Sequence, residues 1–188
     1  MLKLIFLKKY FQLYRPFFIF LLKFFVTYGI LTFCYQMYLN SFDSEAFEPD
    51  GMTKFVAYQT QDFLQFIGKD AYTMPHLKQA CMKFFYNGKY IARVVEGCNA
   101  MSVMILFVAF VIAFKGKLKH TILFLLAGIL IIHLLNVLRI SLLTMALYNY
   151  PEYEHLLHGV IFPLFIYGVV FGLWVIWVQK FSTYAKAS

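Results

Sequence analysis

The sequence predicts an all-α integral membrane protein with about four transmembrane helices, a small extracytoplasmic amphipathic helix and a β-hairpin. Of the 188 residues, 62% are hydrophobic and 21% are aromatic, whereas soluble domains are usually about 45–50% apolar. The mean hydropathy is +0.69. Four apolar stretches approach the roughly 20 residues that a transmembrane helix needs. We therefore interpret residues 1–188 as one membrane domain, with no nucleic acid among its partners.

The four predicted spans are separated by polar segments, a long one of residues 40–98 after the first span and short ones between the others. Pro16 suits the first position of a helix, because its missing N–H would be unpaired there anyway. Trp174 and Trp177 lie near the end of the last span, as expected for an interfacial belt. The basic N-terminal stretch has no small-residue cleavage site after its apolar run, so we expect a retained anchor rather than a removed signal peptide. The spans cover about residues 16–39, 99–114, 121–147 and 159–178.

The distribution of charge predicts the orientation of these spans. The segments before the first span, between the second and third, and after the fourth carry lysine and arginine but no carboxylate. All nine carboxylates lie in the outer loop of residues 40–98 or in the short loop near 148–157. Since cytoplasmic loops are enriched in lysine and arginine, we expect both termini in the cytoplasm of a multi-pass protein of the cytoplasmic (inner) membrane.

The outer loop, residues 40–98, carries two local signals. Apolar residues recur at helical spacing over residues 52–67, at Met52, Phe55, Val56, Phe63, Phe66 and Ile67. This pattern predicts an amphipathic helix on the outer leaflet. Further on, Asn87-Gly88 separates runs 81–86 and 89–95, and Asn-Gly between such runs is a strong hairpin signal. In the predicted register Cys81 faces Val94.

Three ionisable groups are predicted to reach the same depth near the outer face. Cys98 begins the second span on that side. Arg139 lies about 19 residues into the third span, and at 1.5 Å per residue it has crossed nearly the whole hydrocarbon layer. His158 opens the fourth span, with His155 one turn earlier. Because a charge inside a span is costly, such a residue is taken as functional and inward-facing.

Cysteine, histidine and arginine together suit acyl transfer. Histidine can take the thiol proton and return it to a leaving amine, and a guanidinium can stabilise charge on a carbonyl oxygen. Other interpretations stay open at this point. Cys98 could pair with Cys81 in a disulfide, His155 and His158 could bind a metal that lacks a convincing third ligand, and Glu96 could be a solvated carboxylate.

Three motifs resemble the exosortase/archaeosortase family. They are Glu96-Gly-Cys-Asn-Ala-Met-Ser, Asn136-Val-Leu-Arg139 and a histidine that opens the last helix. The compact size and the His158-Gly-Val-Ile-Phe-Pro segment are most similar to the short exosortase F subtype. The small residue and glycine that usually follow the cysteine in this family are Asn99 and Ala100 here.

The resemblance implies a membrane cysteine transpeptidase or protease that cleaves C-terminal sorting signals at the outer face through a thioester. Its partners would be exported proteins with a tripartite tail, a lipid or glycan acceptor and membrane lipids, and it implies no cofactor and no metal. The implied catalytic residues are the nucleophile Cys98, the carbonyl-binding Arg139 and the base His158, with His155 as the alternative base. The implied substrate-orienting residues are Glu96, Asn99 and Asn136.

A different class of function also fits the spans and the charge bias. A non-enzymatic membrane assembly factor would explain both features, although it gives no reason for Cys98, Arg139 and His158 at one depth. A small transporter subunit would favour polar groups near the bilayer midplane, whereas most of the polar groups here cluster at the outer edge.

Overall fold

The computed structural model describes residues 14–42 and 46–182, most of which are helical. Three antiparallel strands form one small sheet in the order β1-β2-β3. The structure thus confirms a mostly helical chain, and it adds a strand to the predicted hairpin. In chain order the elements are α1 (Arg15–Leu39), α2 (Gly51–Phe66), β1 (Ala71–Pro75), β2 (Met82–Tyr86), β3 (Lys89–Val94), α3 (Met101–Ala113), α4 (Leu118–Asn149) and the helical run α5 (Pro151–Phe181).

Three of the described helices are long and apolar enough to cross a membrane, namely α1, α4 and α5. The predicted span over residues 99–114 corresponds to α3, which has 13 residues. Such a helix rises about 20 Å, less than the roughly 30 Å of a hydrocarbon core. It is shorter than predicted because Glu96–Cys98 form a 3-10 turn and Ala100 leaves the helical conformation. The structure supports three spans, and a fourth stays a prediction.

The short helix α3 lies at the centre of the helical bundle. Phe107 and Val111 of α3 pack in one buried cluster with Ile132 of α4 and with Val170 and Trp177 of α5. Trp177 is fully buried, so the predicted interfacial belt is wrong for this residue. Its ring lies against Gly116, in the turn between α3 and α4, where a side chain would meet the indole.

Gly128 provides a test of this packing, because it lets α3 and α4 approach closely. A Cβ atom at Gly128 would lie 2.2 Å from Cζ of Phe107, whose ring is fully buried. We expect Gly128→Ala to destabilise the fold by about 1–3 kcal/mol, the usual cost of overpacking a tight core. Thermal unfolding in detergent would measure it. Gly172→Ala is the matched control, since a Cβ atom there meets nothing within 4 Å. Equal melting temperatures for the two variants would contradict the tight α3–α4 contact.

The amphipathic helix of the outer loop is present as α2, but its buried face differs from the predicted one. The buried residues are Thr53, Val56, Ala57, Thr60 and Leu64. Phe55 and Phe66 of the predicted apolar set are exposed. The two threonines can be buried because their hydroxyl groups are bonded locally, to the side chain of Asp50 and to the carbonyl of Val56. Helix α2 therefore packs on the sheet and on α4.

The predicted hairpin is confirmed, with Asn87-Gly88 at its turn. Both residues have positive φ angles, 48° and 71°, as a two-residue hairpin turn requires. The register differs by one residue from the predicted one, since Met82 rather than Cys81 faces Val94. The cause is a bulge in the β2–β3 pairing, which the sequence pattern did not reveal.

The last helix begins earlier than predicted, at Pro151 rather than near residue 159. Only Tyr150 separates it from α4. A π-helical turn, Leu157–Ile161, interrupts it one turn before Pro163. Proline lacks an N–H and clashes with the carbonyl four residues earlier, so a wider local turn relieves this clash. His158 thus lies inside the helix, on a π turn, rather than at its start as predicted.

Candidate active site

The segment that carries Cys98 connects the sheet to α3. Residues Glu96–Cys98 form a 3-10 turn directly after β3, and the N–H of Cys98 donates to the carbonyl of Val95 at 2.8 Å. Ala100 then adopts a left-handed conformation with φ 63°, which costs a non-glycine residue about 1–2 kcal/mol. In the family that this chain resembles, a small residue and a glycine usually follow the cysteine. Ala100 stands at the second of these two positions.

Asn136 holds this segment against α4. Its side chain is fully buried, and its Nδ2 donates to the carbonyl oxygen of Cys98 at 2.7 Å. Its Oδ1 accepts a bond of 3.3 Å from Nη1 of Arg139, three residues later on the same helix face. One amide therefore links the backbone of the cysteine to the guanidinium group.

Asn99 stabilises the same segment through hydrogen bonds to α1, α2 and the start of α3. Its Nδ2 donates to the hydroxyl of Tyr35 in α1 at 3.0 Å and to that of Thr53 in α2 at 3.4 Å. Its Oδ1 accepts a 2.9 Å bond from the N–H of Met101, at the start of α3. Asn99 is 1% exposed and does not line the cavity described below. These bonds support the Cys98 turn, and the predicted substrate-orienting role of Asn99 stays a prediction.

A cavity of about 250 Å³ opens beside Cys98, between the sheet, the C-terminal half of α4 and the N-terminal end of α5. Three segments of the chain bring Cys98, Arg139 and His158 to its wall. Glu154 and Arg93 are its other charged residues. The lining residues are Ile91, Ala92, Arg93, Val94, Val95, Cys98, Arg139, Ile140, Leu143, Thr144, Leu147, Glu154 and His158.

Arg139 lines this cavity and has hydrogen-bonding capacity that the described residues do not use. Its Nη1 is used by Asn136, while its Nε is buried and has no hydrogen-bond partner among the described residues. An unsatisfied buried donor costs about 1–3 kcal/mol. Because a guanidinium group carries five N–H donors, Arg139 has the chemistry expected of a carbonyl-binding group.

The histidines of α5 are separated by one turn and differ in position. His158 lines the cavity, whereas His155 is not among the residues that line it. Glu154 lies four residues before His158 and also lines the cavity. Residues four apart share one face of a helix, so a carboxylate on the same side as His158 could have been predicted from this spacing, but it was not.

Glu96, His133 and Cys81 do not line the cavity. Glu96 is exposed. His133, near the middle of α4, has its Nε2 in contact with Oε1 of Gln59 and its ring stacked on Phe55 at 5.6 Å. Cys81 and Cys98 are both free thiols, so the disulfide considered from the sequence is not formed.

The model of the transmembrane exosortase family matches residues 8–178, nearly the whole chain. The chain belongs to the exosortase family. No curated protein and no solved structure shows a match to it. The resemblance drawn from the motifs is confirmed for the family, and the F subtype stays a prediction.

Family membership and the fold establish two points about this exosortase. With three helices able to cross a membrane, it is a membrane-integral protein. Exosortases are membrane cysteine transpeptidases that act on exported proteins carrying sorting signals. Its residues Cys98, Arg139 and His158, predicted as catalytic from the sequence, line one cavity.

Proposed function

We propose that this exosortase cleaves the C-terminal sorting signals of exported proteins through a thioester on Cys98 and transfers the proteins to a lipid or glycan acceptor at the surface. The observation that supports this most strongly is the shared cavity of Cys98, Arg139 and His158. A thiol nucleophile, a base and a donor for the carbonyl oxygen are the groups that acyl transfer needs.

In the first half of the proposed cycle, His158 takes the proton of the Cys98 thiol as the sulfur attacks the scissile carbonyl carbon. The negative charge that develops on the carbonyl oxygen is stabilised by the guanidinium group of Arg139. The carbon–nitrogen bond then breaks, and the imidazolium of His158 gives its proton to the leaving amine. The tail departs with a new N-terminus, and the exported protein stays bound to Cys98 as a thioester.

In the second half, an amine or hydroxyl group of the acceptor attacks the thioester. His158 takes the acceptor's proton, the carbon–sulfur bond breaks, and the proton returns to the Cys98 sulfur. Water in place of the acceptor would give hydrolysis. Asn136 contributes by position, because it fixes the backbone of Cys98 and one nitrogen of Arg139 at the same time.

The orientation of the chain belongs to this proposal. The cavity lies at the end of α4 remote from Lys117 and Lys119, which flank its start. The positive-inside rule places these lysines and both termini in the cytoplasm. The cavity then opens at the outer face of the cytoplasmic membrane, where an exported protein arrives with its hydrophobic tail in the bilayer.

Capture of the acyl-enzyme tests this function directly. The purified chain in detergent is incubated with an exported reporter that ends in a polar segment, an apolar segment and a basic end, and the digest is analysed by mass spectrometry. We expect the reporter fragment on the peptide that contains Cys98, and hydroxylamine should release it. Cleavage of the reporter at an unchanged rate by Cys98→Ala, with no adduct on the wild-type chain, would overturn the proposal.

Arg139 gives the next prediction. Arg139→Gln is expected to lower kcat by about 10²–10³-fold, the usual loss when a donor to a developing oxyanion is removed. Arg139→Lys should recover only part of the rate, since an ammonium group cannot reproduce the planar fork of donors. Single-turnover cleavage of the reporter measures both variants, and melting temperatures show whether loss of the bond to Asn136 disturbs the fold. Wild-type rates in a folded Arg139→Gln variant would contradict the assigned role.

Glu154 is proposed as a positioning residue that orients His158 from one turn away. Glu154→Gln keeps the size of the side chain but removes its charge. We expect kcat to fall by about 10-fold, the low end of the losses seen when a residue that orients a functional group is replaced. The KM for the reporter should stay nearly constant, and Glu154→Asp should recover part of the rate. Glu152→Gln, on the same short turn but outside the cavity lining, is the control. A rise in KM with no change in kcat would instead indicate a role in binding.

A further inference from the structure

One wall of the cavity consists of five consecutive residues, 91 to 95, of β3 and the residue after it. Successive side chains of a strand point to opposite faces of its sheet. A strand that presented one face to the cavity would therefore contribute every second residue. An unbroken run is what a cavity along the edge of β3 would show, because backbone groups line such an edge together with side chains.

The cavity side of β3 is an open edge of the sheet. The strand order is β1-β2-β3, so β3 pairs with β2 on one side and, among residues 14–42 and 46–182, with no strand on the other. Alternate N–H and C=O groups of an edge strand point away from its partner and remain available. The bulge in the β2–β3 pairing, between Tyr90 and Ala92, lies at the start of this run. Bulges are common next to active sites, where they redirect a strand.

We propose that the segment of the exported protein just before its hydrophobic tail binds as an added β-strand on the free edge of β3. This inference rests on the proposed function, because it places a peptide bond of that segment at Cys98. The edge leads directly to the nucleophile: β3 ends at Val94, and Cys98 follows after one short turn. A strand laid along it would pass Cys98 in an extended conformation.

The chemistry of the cavity suits such a strand. Main-chain hydrogen bonds to the edge of β3 give affinity that does not depend on sequence, and alternate side chains give selectivity. Side chains on one face of the added strand would meet the apolar wall of α4, formed by Ile140, Leu143 and Leu147. Those on the other face would lie near the charged rim at Arg93 and Glu154. The segment recognised is thus an extended peptide that alternates apolar with polar or charged residues.

Two other occupants of the edge are possible, a second copy of the chain and a lipid acyl chain. A lipid acyl chain offers no hydrogen bonds to a strand edge. A second copy would close the route to Cys98. The edge of β3 shares one cavity with the Cys98 thiol and the Arg139 guanidinium group. A peptide substrate is therefore favoured over a second copy of the chain and over a lipid.

Disulfide mapping tests the added strand without a need for activity. The chain carries Cys34→Ala, Cys81→Ala and Cys98→Ala, with a single bait thiol introduced by Arg93→Cys. Its partner is an exported reporter whose tail the wild-type chain processes, with one cysteine moved residue by residue through the polar segment before the apolar tail. We expect cross-linking yields that alternate with a period of two residues. Moving the bait to position 95 by Val95→Cys should shift the pattern by about two residues.

The control and the contradicting results separate this proposal from the function on which it rests. Lys89→Cys lies on the same strand outside the cavity lining, and it should give markedly lower yields. Cross-links with a helical period, or none at all, would overturn the added strand even if Cys98 proves to be the nucleophile. Cross-links between the bait thiols of two copies would assign the edge to a dimer. Processing that continues unchanged in Cys98→Ala would instead overturn the proposed function.

Discussion

Cys98→Ala is expected to reduce the processing of a tail-bearing reporter by at least about 10³-fold, because loss of a nucleophile removes the covalent route altogether. The full-length reporter should then accumulate in the membrane. Immunoblots of membrane fractions and single-turnover cleavage by the purified chain measure the effect. Cys98→Ser should show nearly the same loss, since a hydroxyl group is a much weaker nucleophile than a thiol under these conditions.

The other two cysteines provide matched controls for this prediction. Burial raises the pKa of the Cys81 thiol, which keeps it in the uncharged and unreactive form at neutral pH. Cys34 lies exposed on α1, in a segment that does not reach the cavity. Cys34→Ala and Cys81→Ala should process the reporter within a few-fold of the wild-type rate. A Cys98→Ala chain that processes as fast as these controls would rule out the thioester.

Composition and short motifs were enough to predict part of this fold from the sequence. Helices long enough to span a membrane follow from apolar runs, since a bilayer requires every backbone group to be paired within the segment. Asn87-Gly88 predicted the hairpin because few residue pairs accept two positive φ angles. Each of these signals is local. The three long helices and the hairpin turn lie near their predicted positions, although the last helix begins earlier, at Pro151.

Signals that depend on tertiary contacts were missed or misplaced. The buried face of α2 contains Thr53 and Thr60, whose hydroxyl groups are bonded locally, and hydrophobic periodicity alone favoured Phe55 and Phe66 instead. The short helix α3 is apolar enough for a span, but its length depends on the left-handed Ala100. Neither the bond partners of a threonine nor a positive φ at alanine can be read from an apolar pattern.

The candidate site was likewise predicted where local signals suffice and missed where tertiary contacts decide. Depth along a helix follows from counting residues at 1.5 Å each, and this predicted that Cys98, Arg139 and His158 would meet. The direction of a side chain does not follow from depth. Asn99 therefore points away from the cavity, towards Tyr35 and Thr53, while Glu154 lines it.

His158 and His155 offer a paired test of the proposed base, and this is the second large effect that we expect. His158→Ala should lower kcat by about 10²–10⁴-fold, the range attributed to a positioned general base. His155→Ala should stay within a few-fold of wild type, because His155 lies one turn away and does not line the cavity. Both residues are on the same helix and both are exposed, so neither substitution removes a packed side chain.

The two histidine variants also distinguish a catalytic role of His158 from a role in substrate binding. If His158 acts as the base for Cys98, alkylation of the Cys98 thiol by a small membrane-impermeant reagent should slow in His158→Ala and stay unchanged in His155→Ala, since the base assists formation of the thiolate. This readout requires no substrate and no acceptor. The opposite pattern, with His155→Ala inactive and slow to alkylate, would move the base one turn earlier and would require the π turn at Leu157–Ile161 to rearrange before His155 could reach the cavity.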